Sequence, residues 1–355
     1  MVGPAPIEKA LQSQTYDVYS SDADLIAWRP DLIRDIPSVQ DKLEARVHLE
    51  TDEFGFRNPA PLPEKVDIVV LGRSYSLGAQ VAKNWAMQLA YSNDTRILNL
   101  SQPGGNLRTR ILDLKRFGLP REPQWVILEI IPRIDMVGYT ADGKMIIEQL
   151  PAHVYQSVYN RFNSGPQEIR DAEARFPIQI DLGSRTYDLT CCLHYVNTFS
   201  VNKEELYSSA SWNNYQQDLK DLVNLAQSRD FCTVLLFAPG KADVYFPLGR
   251  DPHQFASILL GWMPLTTDKN GELISAPEEE FSPQDAIENL YSFRQVLAQF
   301  ALQEQIAFID PTESMQASAQ EGISPFIAYD SHLNEFGHSI IADQVEQYIE
   351  QHNCP

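Results

Sequence analysis

Two short stretches of this 355-residue chain hold side chains whose types and spacing suit acyl transfer. The first is Gly72-Arg73-Ser74-Tyr75-Ser76-Leu77-Gly78, which lies between an apolar run, Val66 to Leu71, and a segment with helical spacing at Val81, Trp85 and Leu89. A serine in such a strand-to-helix turn meets backbone N–H donors and a favourable dipole for developing negative charge. The second stretch is Tyr329-Asp330-Ser331-His332-Leu333-Asn334-Glu335-Phe336-Gly337-His338. A histidine just before a helix, with a carboxylate two residues upstream, supplies a general base whose tautomer the carboxylate holds. Each stretch alone also has a plain structural reading, Ser74 as an ordinary helix N-cap and the His332 segment as a solvated turn capped by Asn334.

Other chemistries find less support. The α/β-hydrolase elbow requires Gly where Ser76 stands, a phosphate-binding loop requires Gly-Lys-Ser/Thr, and Gly72 with Gly78 does not complete the dinucleotide fingerprint, so no cofactor is expected. Cys191, Cys192, Cys232 and Cys354 show no metal-ligand spacing, and two of them are adjacent, so neither a metal site nor a disulfide framework is expected. His194 beside Cys191 and Cys192 lacks the strand-to-helix context of a thiol nucleophile. Glu129 interrupts an apolar strand and is expected to be a buried partner of an arginine rather than a catalytic acid. His338 is expected to cap or pack on the last helix. Tyr155, Tyr159, Trp212 and Trp262 are able to stack on sugar rings, with core or lid packing as the default.

The elements that must position these residues alternate. Short apolar runs at 66–71, 97–100, 125–131, 233–237 and 306–309 suit strands covered on both faces, as in a parallel sheet. Helical spacing at 81–91, 107–114, 213–228, 284–304 and 335–350 separates or follows them, which predicts an α/β fold. Residues 1–60 read as an arm wrapping the domain formed by 61–355, with insertions at about 132–231 and 240–283 that begin just after strands and so stand where a substrate cleft forms.

Taken together, "TDEFGFRN" at 51–58, "DIVVLGRSYSLG" at 67–78, "ILNLSQPGG" at 97–105 and "YDSHLNEFGHSIIADQV" at 329–345 resemble the SGNH/GDSL hydrolase superfamily. The resemblance implies a three-layer α/β/α sandwich around a five-stranded parallel sheet in flavodoxin-like order. It implies Ser74 as nucleophile, Asp330 and His332 as acid and base, and Gly104 as a backbone donor to the oxyanion. The Asp-x-His spacing, followed by Asn and Gly-His, together with "LLFAPGKADVYFPL" at 235–248, resembles the branch containing alginate and polysaccharide O-acetylation proteins, which implies acyl transfer to or from a sugar hydroxyl.

The sequence departs from that pattern twice. Arg73 stands where the family carries Asp, a change of two charge units that either holds an anionic substrate or points to solvent. The third block, usually Gly-x-Asn-Asp, corresponds to Pro132-Arg133-Ile134-Asp135, so an oxyanion donor is replaced by Ile134 at a cost of about 3 kcal/mol unless Arg133 or Asn106 substitutes. Two readings follow: an esterase or O-acetyltransferase acting on an acyl ester or carbohydrate, and a catalytically impaired protein that binds a glycan or acidic ligand.

Composition narrows the partners. With 28 Lys+Arg against 48 Asp+Glu the formal charge is −20, which argues against nucleic acid and against anionic membranes. No apolar stretch approaches the ~20 residues of a membrane span, and Met1 to Glu8 lacks the pattern of a secretory leader. The expectation is a cytoplasmic protein as encoded, or a periplasmic or extracellular one if a leader was removed.

Overall fold

The computed structural model describes residues 52, 54, 56–59, 61–78, 81–102, 107–132, 202–249, 288–327 and 332–354, and the backbone of three short antiparallel strand pairs, Thr15–Tyr19 with Arg46–Glu50, Gln179–Asp181 with Thr186–Asp188, and Thr266–Thr267 with Leu273–Ile274. Its centre is a five-stranded parallel sheet built from β1 (Ile68–Leu71), β2 (Ile97–Asn99), β3 (Trp125–Ile130), β4 (Cys232–Phe237) and β5 (Ala307–Ile309), in the order β5-β4-β3-β1-β2. This is the expected flavodoxin-like order. All five expected strands form, some with trimmed ends: β1 begins at Ile68 because the N–H groups of Asp67 and Ile68 both turn to the Arg96 carbonyl.

Each strand alternates between two apolar layers. Ile68, Val70, Trp125, Ile127, Val234 and Leu236 face one layer, with Trp85 and Leu89 of α1 (Trp85–Asn93), Met315 of α5 (Thr312–Gln320), and Ile341 and Val345 of α6 (Glu335–Gln351). Val69, Leu71, Val126, Leu128, Leu235 and Phe237 face the other, with Leu107 and Ile111 of α2 (Leu107–Asp113), Trp212, Leu219 and Leu222 of α3 (Ala210–Arg229), and Phe293, Val296 and Phe300 of α4 (Ser292–Gln303). A strand buried on both faces has no polar side, which is why these segments read as continuous apolar runs. The result is the expected three-layer sandwich.

One sequence expectation changes here. Cys232 and Cys354 form a disulfide with Cα atoms 5.7 Å apart, a pairing that the spacing of the cysteines did not suggest because 122 residues separate them. Trp212 keeps its default reading: it is fully buried and meets Phe293 and Phe300 edge-on, so it belongs to the core and offers no sugar platform.

In this strand order the chain leaves β1 and β3 in opposite senses, and the crevice beyond their carboxyl ends is where open α/β sheets bind ligands. Ser74 stands at that end of β1.

Candidate active site

The turn after β1 is tight. A Cβ on Gly72 would lie 2.5 Å from both Ser101 Oγ and Ser76 Cβ, so only glycine lets the chain pass this close to the end of β2. Arg73 takes the N-cap position, and Ser74 is the first residue of a one-turn helix, Ser74–Leu77, closed by the Leu77 N–H on the Arg73 carbonyl and the Gly78 N–H on the Ser74 carbonyl. Ser74 is therefore not a capping residue. It is half-exposed, whereas Tyr75 and Ser76 beside it are buried.

Beneath this turn lies Glu129 of β3, completely buried. Its Oε1 accepts the Arg73 main-chain N–H at 2.8 Å, and its Oε2 accepts the Ser76 hydroxyl. Ser76 Oγ accepts the Trp85 indole N–H at 2.7 Å. Burial pushes the Glu129 carboxyl up, against the opposing pull of the Ser76 and Arg73 hydrogen bonds and the Arg110 charge. The expected arginine is thus present, but the Arg110 guanidinium donates to the Glu129 main-chain carbonyl, at 2.7 Å, while the carboxylate serves the turn that carries Ser74.

A second network fixes the same turn from the N-terminal side. Asp52 Oδ1 accepts the N–H groups of Phe54 and Phe56, and its Oδ2 accepts from Asn58 Nδ2. Asn58 exchanges hydrogen bonds with the main chain of Asn99, whose side chain donates to the Ser76 carbonyl at 2.9 Å and accepts the Ser101 N–H at 3.0 Å. Arg57 donates to the carbonyls of Leu77, Gly78, Val81 and Ala82. A planar fork with several N–H groups suits that task in a way an ammonium does not.

His332 comes to the site from the other end of the chain. Its ring centroid lies 5.3 Å from that of Tyr75, the residue after Ser74. The His332 carbonyl accepts the Ile327 N–H, and Asn334 caps α6 through the Gly337 N–H while its amide donates to the Ser324 and Phe326 carbonyls. His338 is buried, as its expected packing role implies, and its Nδ1 accepts the Trp85 main-chain N–H at 3.2 Å. Burial, with the Arg57 and His332 charges adding to it, pushes the His338 ring down to about 3, so it is neutral and fixed in one tautomer.

The structure thus brings Arg73, Ser74, Glu129 and His332 to one end of the sheet. Asp330, Gly104, Asn106, Arg133 and Ile134 lie outside the described residues, as do Cys191, Cys192, His194, Tyr155, Tyr159 and Trp262. Among the described residues no cluster of His, Cys, Asp and Glu is arranged to hold a metal ion, and no helix is long and apolar enough to cross a membrane. Sequence reading missed the bracing residues Ser76 and Asn99 because their partners are distant in the chain; their one signal was the presence of polar residues at the ends of apolar strands.

No protein-family model matches the chain, and no curated protein matches it. Solved structures similar to it include a GDSL-like lipase from Bacteroides thetaiotaomicron (11% identity, 83% of this chain and 92% of that one, TM-score 0.35). They also include an acetyl xylan esterase (10% identity, 80% and 100%, TM-score 0.37) and an extracellular lipase from Streptomyces rimosus (15% identity, 81% and 100%, TM-score 0.38).

Proposed function

We propose that the chain is a serine acyl-ester hydrolase or O-acyltransferase of the SGNH type, acting on an acetyl or similar short acyl ester of a carbohydrate or small-molecule hydroxyl. The observation that carries this reading is the half-exposed Ser74 on a braced turn at the carboxyl end of β1, with the His332 ring packed against the adjacent Tyr75. His332, oriented by Asp330, takes the Ser74 hydroxyl proton as Ser74 Oγ attacks the ester carbonyl carbon. The tetrahedral oxyanion is held by the N–H groups of Ser74 and Gly104, with Asn106 or Arg133 standing in for the amide that Ile134 replaces. The intermediate collapses to an acyl-enzyme, and His332 returns the proton to the departing alcohol. Water or a sugar hydroxyl then attacks the acyl-enzyme by the reverse sequence. Arg73 favours an acyl donor or acceptor with negative charge near the scissile bond. The Cys232–Cys354 disulfide supports residence in an oxidising compartment, since such bonds are rare in reducing cytosol.

The test is p-nitrophenyl acetate turnover by the purified protein beside Ser74→Ala, with fluorophosphonate labelling followed by intact mass. Ser74→Ala is expected to lose at least about a thousandfold in kcat and to take no label. Well-folded protein that neither turns over ester nor labels would favour the alternative, a catalytically silent binder of glycans or acidic ligands.

A further inference from the structure

We infer that Glu129 is a positioning residue for the Ser74 nucleophile, holding the turn on both sides of the serine through two hydrogen bonds from one carboxylate. This rests on the reading of Ser74 given above. The geometry is specific. One oxygen takes the main-chain N–H of residue 73, immediately before the nucleophile, and the other takes the hydroxyl of residue 76, two positions after it. The helix between them has four residues and two helical hydrogen bonds, too few to hold its own conformation against the cost of nucleation. The direction of the Ser74 side chain and of its N–H is therefore set from outside, by β3 through Glu129, by β2 through Asn99 on the Ser76 carbonyl, and by α1 through Trp85 on the Ser76 hydroxyl.

The energetics argue for a role beyond packing. A carboxylate with no exposure costs several kcal/mol of lost hydration, and an apolar side chain of similar size would fill the same space without that cost. What an apolar residue cannot do is accept from two donors. Every neighbouring group supports the acceptor form: the Arg73 amide and the Ser76 hydroxyl donate to it, and Arg110, reaching across from α2, contributes positive charge. Glu129 takes no part in proton transfer in this scheme, because both oxygens are engaged beneath the turn and the residue is sealed from solvent.

The experiment compares wild type, Ser74→Ala, Glu129→Gln and Ser76→Ala, reading kcat and KM for p-nitrophenyl acetate, the rate of fluorophosphonate labelling at Ser74, and the melting curve. Gln keeps the shape and one acceptor oxygen but replaces the other acceptor with an amide N–H donor, so one of the two donors loses its acceptor. Glu129→Gln is expected to lower kcat and the labelling rate by about tenfold or more, with KM changed less than about twofold, and Ser76→Ala to lower both rates by about threefold. A folded Glu129→Gln protein with wild-type kcat and labelling rate overturns the inference. If that variant does not fold, Ser76→Ala decides, and unchanged rates there overturn it equally. Absence of Ser74-dependent turnover and labelling in wild type overturns the nucleophile reading and this inference together, whereas a wild type that labels beside variants that label equally well removes only the role of Glu129.

Discussion

At the scale of single residues, the buried acids of this fold divide by what surrounds them. Glu129 meets two donors and a nearby cation, whereas Asp243, also buried, accepts the Gly240 N–H at 2.8 Å and faces another acid, Asp310, with Arg294 near both and Tyr291 near Asp243. Burial, reinforced by the Asp310 charge, pushes the Asp243 carboxyl from 3.8 up to about 7, and the Gly240 hydrogen bond and Arg294 only partly oppose it. The folded protein thus retains a proton that the unfolded chain releases. Asp243 is neutral in both states below pH 3.8, and its cost to stability grows as pH rises from there to about 7. Asp243→Asn, which keeps an acceptor for Gly240, is expected to raise unfolding free energy at pH 8 by about 1–3 kcal/mol and to leave it unchanged near pH 4. Urea denaturation of both proteins at the two pH values checks this, and an equal shift at both would show that the gain comes from packing. His338 contributes the opposite slope in both proteins: its ring is held neutral when folded, so stability falls as pH drops from 6.5 toward about 3.

At the scale of elements, the sheet and its helices were legible because burial on both faces leaves a continuous apolar run and each covering helix leaves a 3.6-residue period. The strand-to-helix turn that carries Ser74 was legible for a related reason, since turn-forming residues at the end of an apolar run mark where a strand delivers the chain to solvent. The bracing of the turn was not. Glu129 pairs across 56 residues with the Arg73 amide and Asn99 reaches back 23 residues to the Ser76 carbonyl, and such partners are set by strand order, which a single sequence does not print. The junction before α6 shows how closely the elements carrying the two site segments fit. A Cβ on Gly337 would lie 2.1 Å from the Pro325 carbonyl oxygen, the acceptor of the Asn334 N–H. Alanine in a helix interior is ordinarily worth about 1 kcal/mol over glycine, but here it must push α6 away from the segment that holds His332. Gly337→Ala is expected to destabilise the protein by about 2 kcal/mol or more and to lower Ser74-dependent ester turnover, as read from melting curves and initial rates. Turnover and melting equal to wild type would show that this junction yields without moving His332.

At the scale of the whole molecule, parallel topology separates stability from chemistry. All five strands of the sheet run the same way, so their amino ends share one edge and their carboxyl ends, with Ser74, share the other. Cys232 opens β4 and therefore lies at the amino edge, where its disulfide to Cys354 ties down the tail beyond α6. The same edge is covered by Tyr348, edge-on to Trp125 at the start of β3 and stacked on His352 at 4.1 Å. The bond closes a span of 122 residues, and a cross-link of that length removes enough freedom from the unfolded chain to contribute about 2–4 kcal/mol. Cys354→Ser is expected to lose that much in denaturant unfolding and to become insensitive to a phosphine reductant, while wild type falls to the same level when reduced. Because the tether lies at the opposite edge from the Ser74 turn, kcat for ester turnover at temperatures well below unfolding is expected to stay within about twofold in both cases. A large fall in kcat on reduction, with the fold intact, would mean that the two edges of the sheet are coupled through β3 and β4, and the disulfide would then act on catalysis as well as on stability.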